Sequence, residues 1–362
     1  MTDNFLLYGS YGYTGALILE LALRQGLRPL LGGRNAAALE QQARTHGLDF
    51  RAFDVNDRAA AVKALTGMRA VLNCAGPFHR TAIPMVQACL ATGAHYLDIT
   101  GEITVYEALA TQDEAARRAK IMLLPGCGLD VVPTDCVAAH LKTRLPDATD
   151  LILAFQSSGG FSRGTAITAI ENIHRGGAVR KNGVITPVPA AWKTREVDFG
   201  NGPILSVTIP WGDVSTAFYT TGIGNIEVYT AMPTLVRQIR MTRYIGWLLA
   251  LPPIQHMLKR RIKAGPAGPD AETRAKSSIH VWGQVRNAAG RTATTRLHTM
   301  NGYVLTTLAS VRAVQNVLAG QFKPGFQTPA RAYGADFVLQ FEGVRREDLE
   351  PPVLRTVTAK SA

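Results

Sequence analysis

The chain has 362 residues, 46% of them hydrophobic and 18% charged, with a formal net charge of +12 at pH 7. That is enough chain for two domains with real cores, and the balance excludes a compositionally disordered protein. The basic residues are scattered and no nucleic-acid motif accompanies them, so the charge points to an anionic cofactor, an anionic substrate or a membrane face rather than to nucleic acid.

The chain opens on an apolar run, Phe5 to Tyr8, that suits a buried strand. It empties into Gly9-Ser10-Tyr11-Gly12-Tyr13-Thr14-Gly15, spaced G-x-x-G-x-x-G, and a helix over 14–25 follows. Gly9 permits a tight turn, Gly12 lets the backbone approach a ligand, and Gly15 lets the helix pack on the strand. Such a turn points free N–H groups at an anion, so a dinucleotide pyrophosphate is the expected guest. The second strand, 29–33, ends in Gly33-Arg34-Asn35. An acidic residue at this place would hold a ribose 2′-hydroxyl, whereas the Arg34 guanidinium suits a 2′-phosphate. NADP(H) is therefore expected over NAD(H), with Arg34 and Asn35 at the phosphate.

The same rhythm continues to residue 125. Further strands are expected at 50–54, 70–74, 95–99 and 121–125, with helices at 36–46, 57–66, 80–92 and 104–119. Alternation of this kind implies a doubly wound parallel sheet whose ligands lie beyond the strand ends. The residues placed there are Asp54-Val55, Cys74-Ala75-Gly76-Pro77-Phe78, Thr100-Gly101-Glu102 and Pro125-Gly126-Cys127-Gly128. Asp54 is expected at the adenine edge or as the cap of the next helix. The Cys74–Phe78 loop is expected along the nicotinamide half.

The rhythm changes near residue 130. A helix over 136–144, with Asp135 as its cap, leads into strand-like segments at 151–156, 194–199, 204–209, 215–219 and 226–231. A hairpin is expected from 279–286 and 292–299 around Asn287-Ala288-Ala289-Gly290, and helices at 164–175, 234–250 and 302–320. Strands without intervening helices imply a mostly antiparallel sheet. The expected domains are 1–130 for the cofactor and 131–345 for the substrate and for pairing into a homodimer, with a tail over 346–362. Helix 302–320 is expected to return toward the first domain.

Residues 244–258 are largely apolar, interrupted by Pro252-Pro253, and the basic run Lys259-Arg260-Arg261-Ile262-Lys263 follows. The stretch is too short to span a bilayer, and it suits a buried helix, a lid over an apolar cavity, or, across 237–263, a peripheral membrane face. Cys74, Cys89, Cys127 and Cys136 form no C-x-x-C pair and no metal-ligand spacing with histidine. Free thiols in a reducing cytoplasm and no metal site are expected. No basic n-region followed by an apolar segment opens the chain, so no signal peptide is expected.

Hydride transfer needs a proton donor beside it when a carbonyl, imine or enoyl group is reduced. None of the ten tyrosines has lysine four residues on, which excludes the acid pair of short-chain dehydrogenases. Tyr96, Asp98 and Asp130 are the chosen donors. Glu102, Ser162, Arg163 and Thr165 are placed against the substrate, and Arg163, Arg175 and Arg180 are candidate anion clamps.

The glycine loop, Gly33-Arg34-Asn35, Asn73-Cys74-Ala75-Gly76-Pro77-Phe78, Tyr96-Leu97-Asp98-Ile99-Thr100-Gly101-Glu102 and Gly126-Cys127-Gly128-Leu129-Asp130-Val131-Val132-Pro133-Thr134-Asp135 together resemble the saccharopine dehydrogenase-like oxidoreductases. The likeness is to the branch that includes the trans-acting enoyl reductases. It implies a Rossmann-type first domain holding a nicotinamide cofactor, and leaves the substrate open. Three readings follow: an NADP(H)-dependent reductase of a hydrophobic, lipid-like carbonyl or enoyl compound, an amino-acid-type dehydrogenase acting on an imine or secondary amine, or an NADP(H)-binding sensor without turnover. A deep apolar cavity favours the first, convergent arginines the second, and a filled site the third.

Overall fold

The computed structural model describes residues 4–160, 162–172, 176–232, 241, 244 and 248–350. Most of the helix expected at 234–250 and Arg175 lie outside the described residues, as does most of the 346–362 tail.

Seven parallel strands form the first sheet, in the order β15-β6-β5-β4-β1-β2-β3. They are β1 (Phe5–Tyr8), β2 (Leu30–Gly33), β3 (Phe50–Ala52), β4 (Ala70–Asn73), β5 (His95–Asp98), β6 (Met122–Leu124) and β15 (Gly325–Phe326). Strands β1, β4 and β5 are buried at every residue, because helices cover both faces. Strand order reverses between β1 and β4, where a doubly wound sheet leaves its crevice. The helices of this half are α1 (Tyr13–Arg24), α2 (Ala36–His46), α3 (Arg58–Leu65), α4 (Phe78–Thr92), α5 (Ile103–Ala110) and α6 (Asp113–Arg118). The single helix expected at 104–119 is broken at Thr111-Gln112, where the last backbone bonds of α5 close and α6 starts anew.

The second sheet has nine strands. Seven run in the order β10-β11-β12-β7-β13-β14-β16, and the hairpin of β8 (Gly177–Lys181) and β9 (Val184–Val188) is attached through β12. The others are β7 (Ala148–Ser157), β10 (Thr194–Asp198), β11 (Pro203–Thr208), β12 (Asn225–Ala231), β13 (Ser278–Asn287), β14 (Thr292–Met300) and β16 (Arg345–Leu349). Among the described residues of this sheet only β12 and β7 pair in parallel. One face packs on α7 (Val132–Arg144), where Gly283 leaves room for Val137 and Leu141: an added Cβ would stand 2.6 Å and 2.7 Å from them.

Residues 215–219, expected as a strand, lie in helix α9 (Asp213–Thr221). The β-branched and aromatic content of Val-Ser-Thr-Ala-Phe-Tyr misleads at the local level. Burial of Val214 and Ala217 in the core with α7 overrides it, and Gly222, at φ 71°, closes the helix in the left-handed region. Three further helices matter here: α8 (Arg163–Asn172), α10 (Pro252–Ala264) and α12 (Gly302–Leu318). Val311, Val314 and Val317 of α12 share a core with Phe5, Leu7, Ile18 and Leu97, so the late helix completes the first domain. Between α10 and β13 lies α11 (Ala271–Lys276), and α13 (Pro329–Tyr333) follows β15.

Candidate active site

The glycine turn closes as its spacing requires. Gly9 has φ +83°, and a Cβ there would stand 2.9 Å from the Ala75 nitrogen, so β1 and the loop after β4 touch through backbone. A Cβ on Gly15 would lie 2.3 Å from the Gly9 carbonyl oxygen. Gly12 caps α1, no side chain satisfies the helix N-terminus, and its first turn holds no acid. The N–H groups of that turn are thus left to an anion at the β1/β4 crevice, and the residues present fit a dinucleotide pyrophosphate.

The loop is braced from both domains. The Ser10 hydroxyl donates to Gln42 (2.7 Å), whose amide returns a bond to the Ser10 carbonyl (3.0 Å). Tyr11 lies over Gly33, where a Cβ would be 2.6 Å from its ring, and its hydroxyl accepts from the Asn35 N–H at 3.3 Å. Tyr13 reaches the second domain: its hydroxyl donates to the Pro269 carbonyl (2.5 Å) and accepts from Arg274 (3.0 Å), and its ring meets Tyr303 edge-on.

At the end of β2, Arg34 is exposed and makes no hydrogen bond or ion pair among the described residues, so its guanidinium is free for a phosphate. Asn35 caps α2 through the Ala38 N–H at 3.1 Å. Asp54 accepts from Asn56 in a tight turn, and that contact, with Arg34 nearby, holds its carboxyl below the usual range. The cap of α3 is Asp57, at 3.0 Å from the Ala60 N–H, not Asp54. Val55 points into the core, so only its backbone is left for a ligand. After β4, Ala75 is pinned by Asn73 (3.0 Å) and Thr81 (2.8 Å), and burial pushes the Cys74 thiol up, away from nucleophilic use. Gly76, Pro77 and Phe78 lead into α4.

Glu102 closes that turn. Its carboxylate accepts from the N–H groups of Phe78 (2.7 Å) and His79 (3.2 Å) and meets the His79 ring at 2.8 Å. It caps α4 rather than facing the substrate, and spacing alone does not reveal a cap reached across twenty-odd residues.

The donor candidates separate by their partners. Asp98 is fully buried and accepts from Tyr96 (2.7 Å), Thr100 N–H (3.0 Å) and Gly126 N–H (2.9 Å). Burial lifts its pKa to about 6. Tyr96 is equally buried and also takes a bond from Asn73 at 3.3 Å. The pair ties the ends of β4, β5 and β6 together. Asp135 does not cap α7, because it lies within that helix's first turn; it accepts from Thr220 (2.5 Å) and from the Ala330 N–H (2.8 Å) in the first turn of α13.

Asp130 differs. Its carboxyl makes no hydrogen bond or ion pair among the described residues and lines a cavity of about 90 Å³ between the domains. Desolvation raises its pKa to about 7. Gly101 makes space for it, since a Cβ there would stand 2.5 Å from Oδ2. The indole N–H of Trp211 holds the Asp130 carbonyl at 2.8 Å, fixing the backbone that carries the acid. Ile99, Leu129, Phe155 and Trp211 form apolar walls, the last two with rings 4.9 Å apart, and Thr14 brings the cofactor loop to the rim. Ser157, Thr165, Asn301, Tyr303 and Thr306 add polar atoms. Among the described residues no arginine or lysine lines the cavity.

Among the expected substrate residues, Thr165 lines the cavity, and Ser162 sits beside it, bonding the Tyr303 hydroxyl through its N–H at 2.5 Å. Arg163 turns away and holds the Gly265 carbonyl at 2.9 Å through Nε. Arg180 is buried in an ion pair with Glu107 at 2.7 Å, stacked on Phe218. Sequence reasoning missed Phe155, Trp211, Asn301 and Tyr303. They come from distant segments, and only the Asn301 cap of α12 left a local trace.

A two-domain fold with a dinucleotide crevice and a facing acid is what these elements define. Residues 5–124 match the family model of the saccharopine dehydrogenase NADP binding domain. It is 31% identical over 179 residues to the trans-acting enoyl reductase of Mycobacterium leprae, a match spanning 45% of this chain and 42% of that protein. It is 26% identical over 293 residues to the lipid droplet localized protein of Caenorhabditis elegans, covering 68% and 66% of the two chains. The match thus spans less than half of the enoyl reductase. The apo saccharopine dehydrogenase (L-Glu forming) of Saccharomyces cerevisiae superposes with a TM-score of 0.66 at 14% identity, over 96% of this chain and 100% of the other, which shows a shared fold.

Proposed function

We propose that the protein is an NADP(H)-dependent reductase of a hydrophobic carbonyl or enoyl compound, with Asp130 as its proton donor. The observation that carries this reading is the Asp130 carboxyl, without a hydrogen bond or ion pair among the described residues, in a cavity walled by Ile99, Leu129, Phe155 and Trp211 and lined by no cation among those residues. When bound, the nicotinamide supplies the hydride. The chain supplies the rest. The first turn of α1 binds the pyrophosphate, and Arg34 meets the 2′-phosphate. Phe155 and Trp211 flank a flat acceptor and exclude water from it. Asp130, whose pKa desolvation lifts to about 7, hands its proton to the acceptor. The enoyl reductase relative supports an enoyl acceptor.

An amino-acid-type dehydrogenase handling several carboxylates would need cations that converge on the acceptor. Arg163 and Arg180 are engaged elsewhere. The test pairs the purified protein and NADPH with two substrate sets: medium-chain 2-enoyl thioesters and apolar ketones, and 2-oxo acids with an amine donor. Loss of NADPH fluorescence with the first set alone is expected. Turnover with the second alone overturns the reading. NADPH binding without turnover by either set supports a sensor.

A further inference from the structure

Five of the nine exposed large apolar side chains among the described residues fall within 241–257: Met241, Tyr244, Leu248, Leu251 and Met257. Tyr244 is 80% exposed and Met257 61%. None of the residues of α10 is fully buried. Its half-covered side carries Ile254, Leu258 and Ile262 and rests on α8, where Gln255 donates to the Ile170 carbonyl at 2.9 Å and Lys259 pairs with Glu171 at 2.6 Å. The opposite side presents Met257, Arg260, Arg261 and Lys263. Those three cations make no hydrogen bond or ion pair among the described residues.

We propose that this face docks the protein on an anionic lipid surface. Apolar side chains beside an aromatic hydroxyl suit the headgroup boundary, and cations one helical turn further meet lipid phosphates. A nucleic acid would have no use for Met257 and Leu251. No helix among the described residues is long and apolar enough to cross a membrane, so the contact is peripheral. The face is one helix from the catalytic cavity: α10 rests on α8, and Thr165 of α8 lines that cavity. The inference goes beyond the reductase reading and stands whichever substrate is reduced.

The experiment is co-sedimentation of the full chain with vesicles of phosphatidylcholine alone and of phosphatidylcholine mixed with phosphatidylglycerol. Binding to the mixed vesicles only is expected, falling as salt rises. The triple variant Arg260→Glu, Arg261→Glu, Lys263→Glu should weaken it by a factor on the order of 100. Leu251→Glu with Met257→Glu should also weaken it. NADPH binding of both variants should match the parent, which reports that they fold. Equal binding to neutral vesicles, no binding at all, or indifference to charge reversal overturns the proposal. So does a change of sedimentation coefficient in the variants without lipid, since the face would then join copies of this chain. Salt dependence of the unaltered protein decides the matter should a variant misfold.

Discussion

In the first sheet every pairing is parallel, and β1, β4 and β5 are buried throughout. All its active loops therefore leave from one edge, each just past a strand. In the second sheet nearly every pairing is antiparallel, and β14 alternates between buried and open positions. Its contributions to the cavity come from a strand end (Phe155), the turn before α9 (Trp211) and the entry to α12 (Asn301 and Tyr303). The first domain thus brings a preformed grip for a common cofactor. The second brings most of the wall of the cavity that faces it. Binding residues sit in contiguous motifs in one half and in scattered single positions in the other.

Substitutions in each half should fail differently, and the largest effect is expected at their meeting point. Asp130→Asn keeps the shape and removes the proton. Turnover should fall on the order of 100- to 10,000-fold while the NADPH dissociation constant holds, measured by steady-state rates and fluorescence titration. In the parent, the rate should fall as pH rises through about 7, because the acid form is then lost. A flat pH profile in that window would remove Asp130 from the role.

Gly15→Ala attacks the grip alone. Its methyl meets the Gly9 carbonyl and the turn must open, so cofactor affinity should fall about 10- to 100-fold. Circular dichroism of the sheets should change little. Arg34→Ala is narrower still. NADPH should bind about tenfold or more weakly, with NADH unchanged. An equal loss for both nucleotides would mean that Arg34 acts on the fold and not on the 2′-phosphate.

The smallest effect is on stability. Asp98, Asp130 and Asp135 have folded pKa values raised to about 6, 7 and 6 by burial. Their contribution is full below about pH 4, the unfolded value, and is lost as pH rises through 6 to 7. Asp54, Asp198 and Asp348 have lowered values, and their contribution is lost only on further acidification. The melting temperature should therefore be modestly higher at pH 5 than at pH 8, and Asp130→Asn should flatten the difference.

The readable part of the molecule has a local cause. Six strands of the first sheet, β1 to β6, the glycine turn, the hairpin at Asn287–Gly290 and α12 all follow from apolar runs broken by glycine or by a capping residue, whereas β15 (Gly325–Phe326) is too short to show in the sequence pattern. The Asn182-Gly183 pair, at φ 48° and 80°, is an equally plain turn signal between β8 and β9, a hairpin that the expected elements do not include. Helix α9 was misread because its residues favour strands until packing is counted. Glu102 was given to substrate because its role as a cap depends on α4 lying across its path. Tyr96 and Asp98 read as donors until their mutual bond and the N–H groups of Thr100 and Gly126 are seen to use them.

The sequence by itself determined the cofactor half: a buried strand, a turn only glycine can make, and a guanidinium after the second strand are all set by neighbours in the chain. Only the tertiary structure decided which acid stands free in the cavity. That choice depends on what surrounds each carboxyl, and Asp130 is singled out by the partners it lacks, which are brought near or kept away by segments hundreds of residues apart.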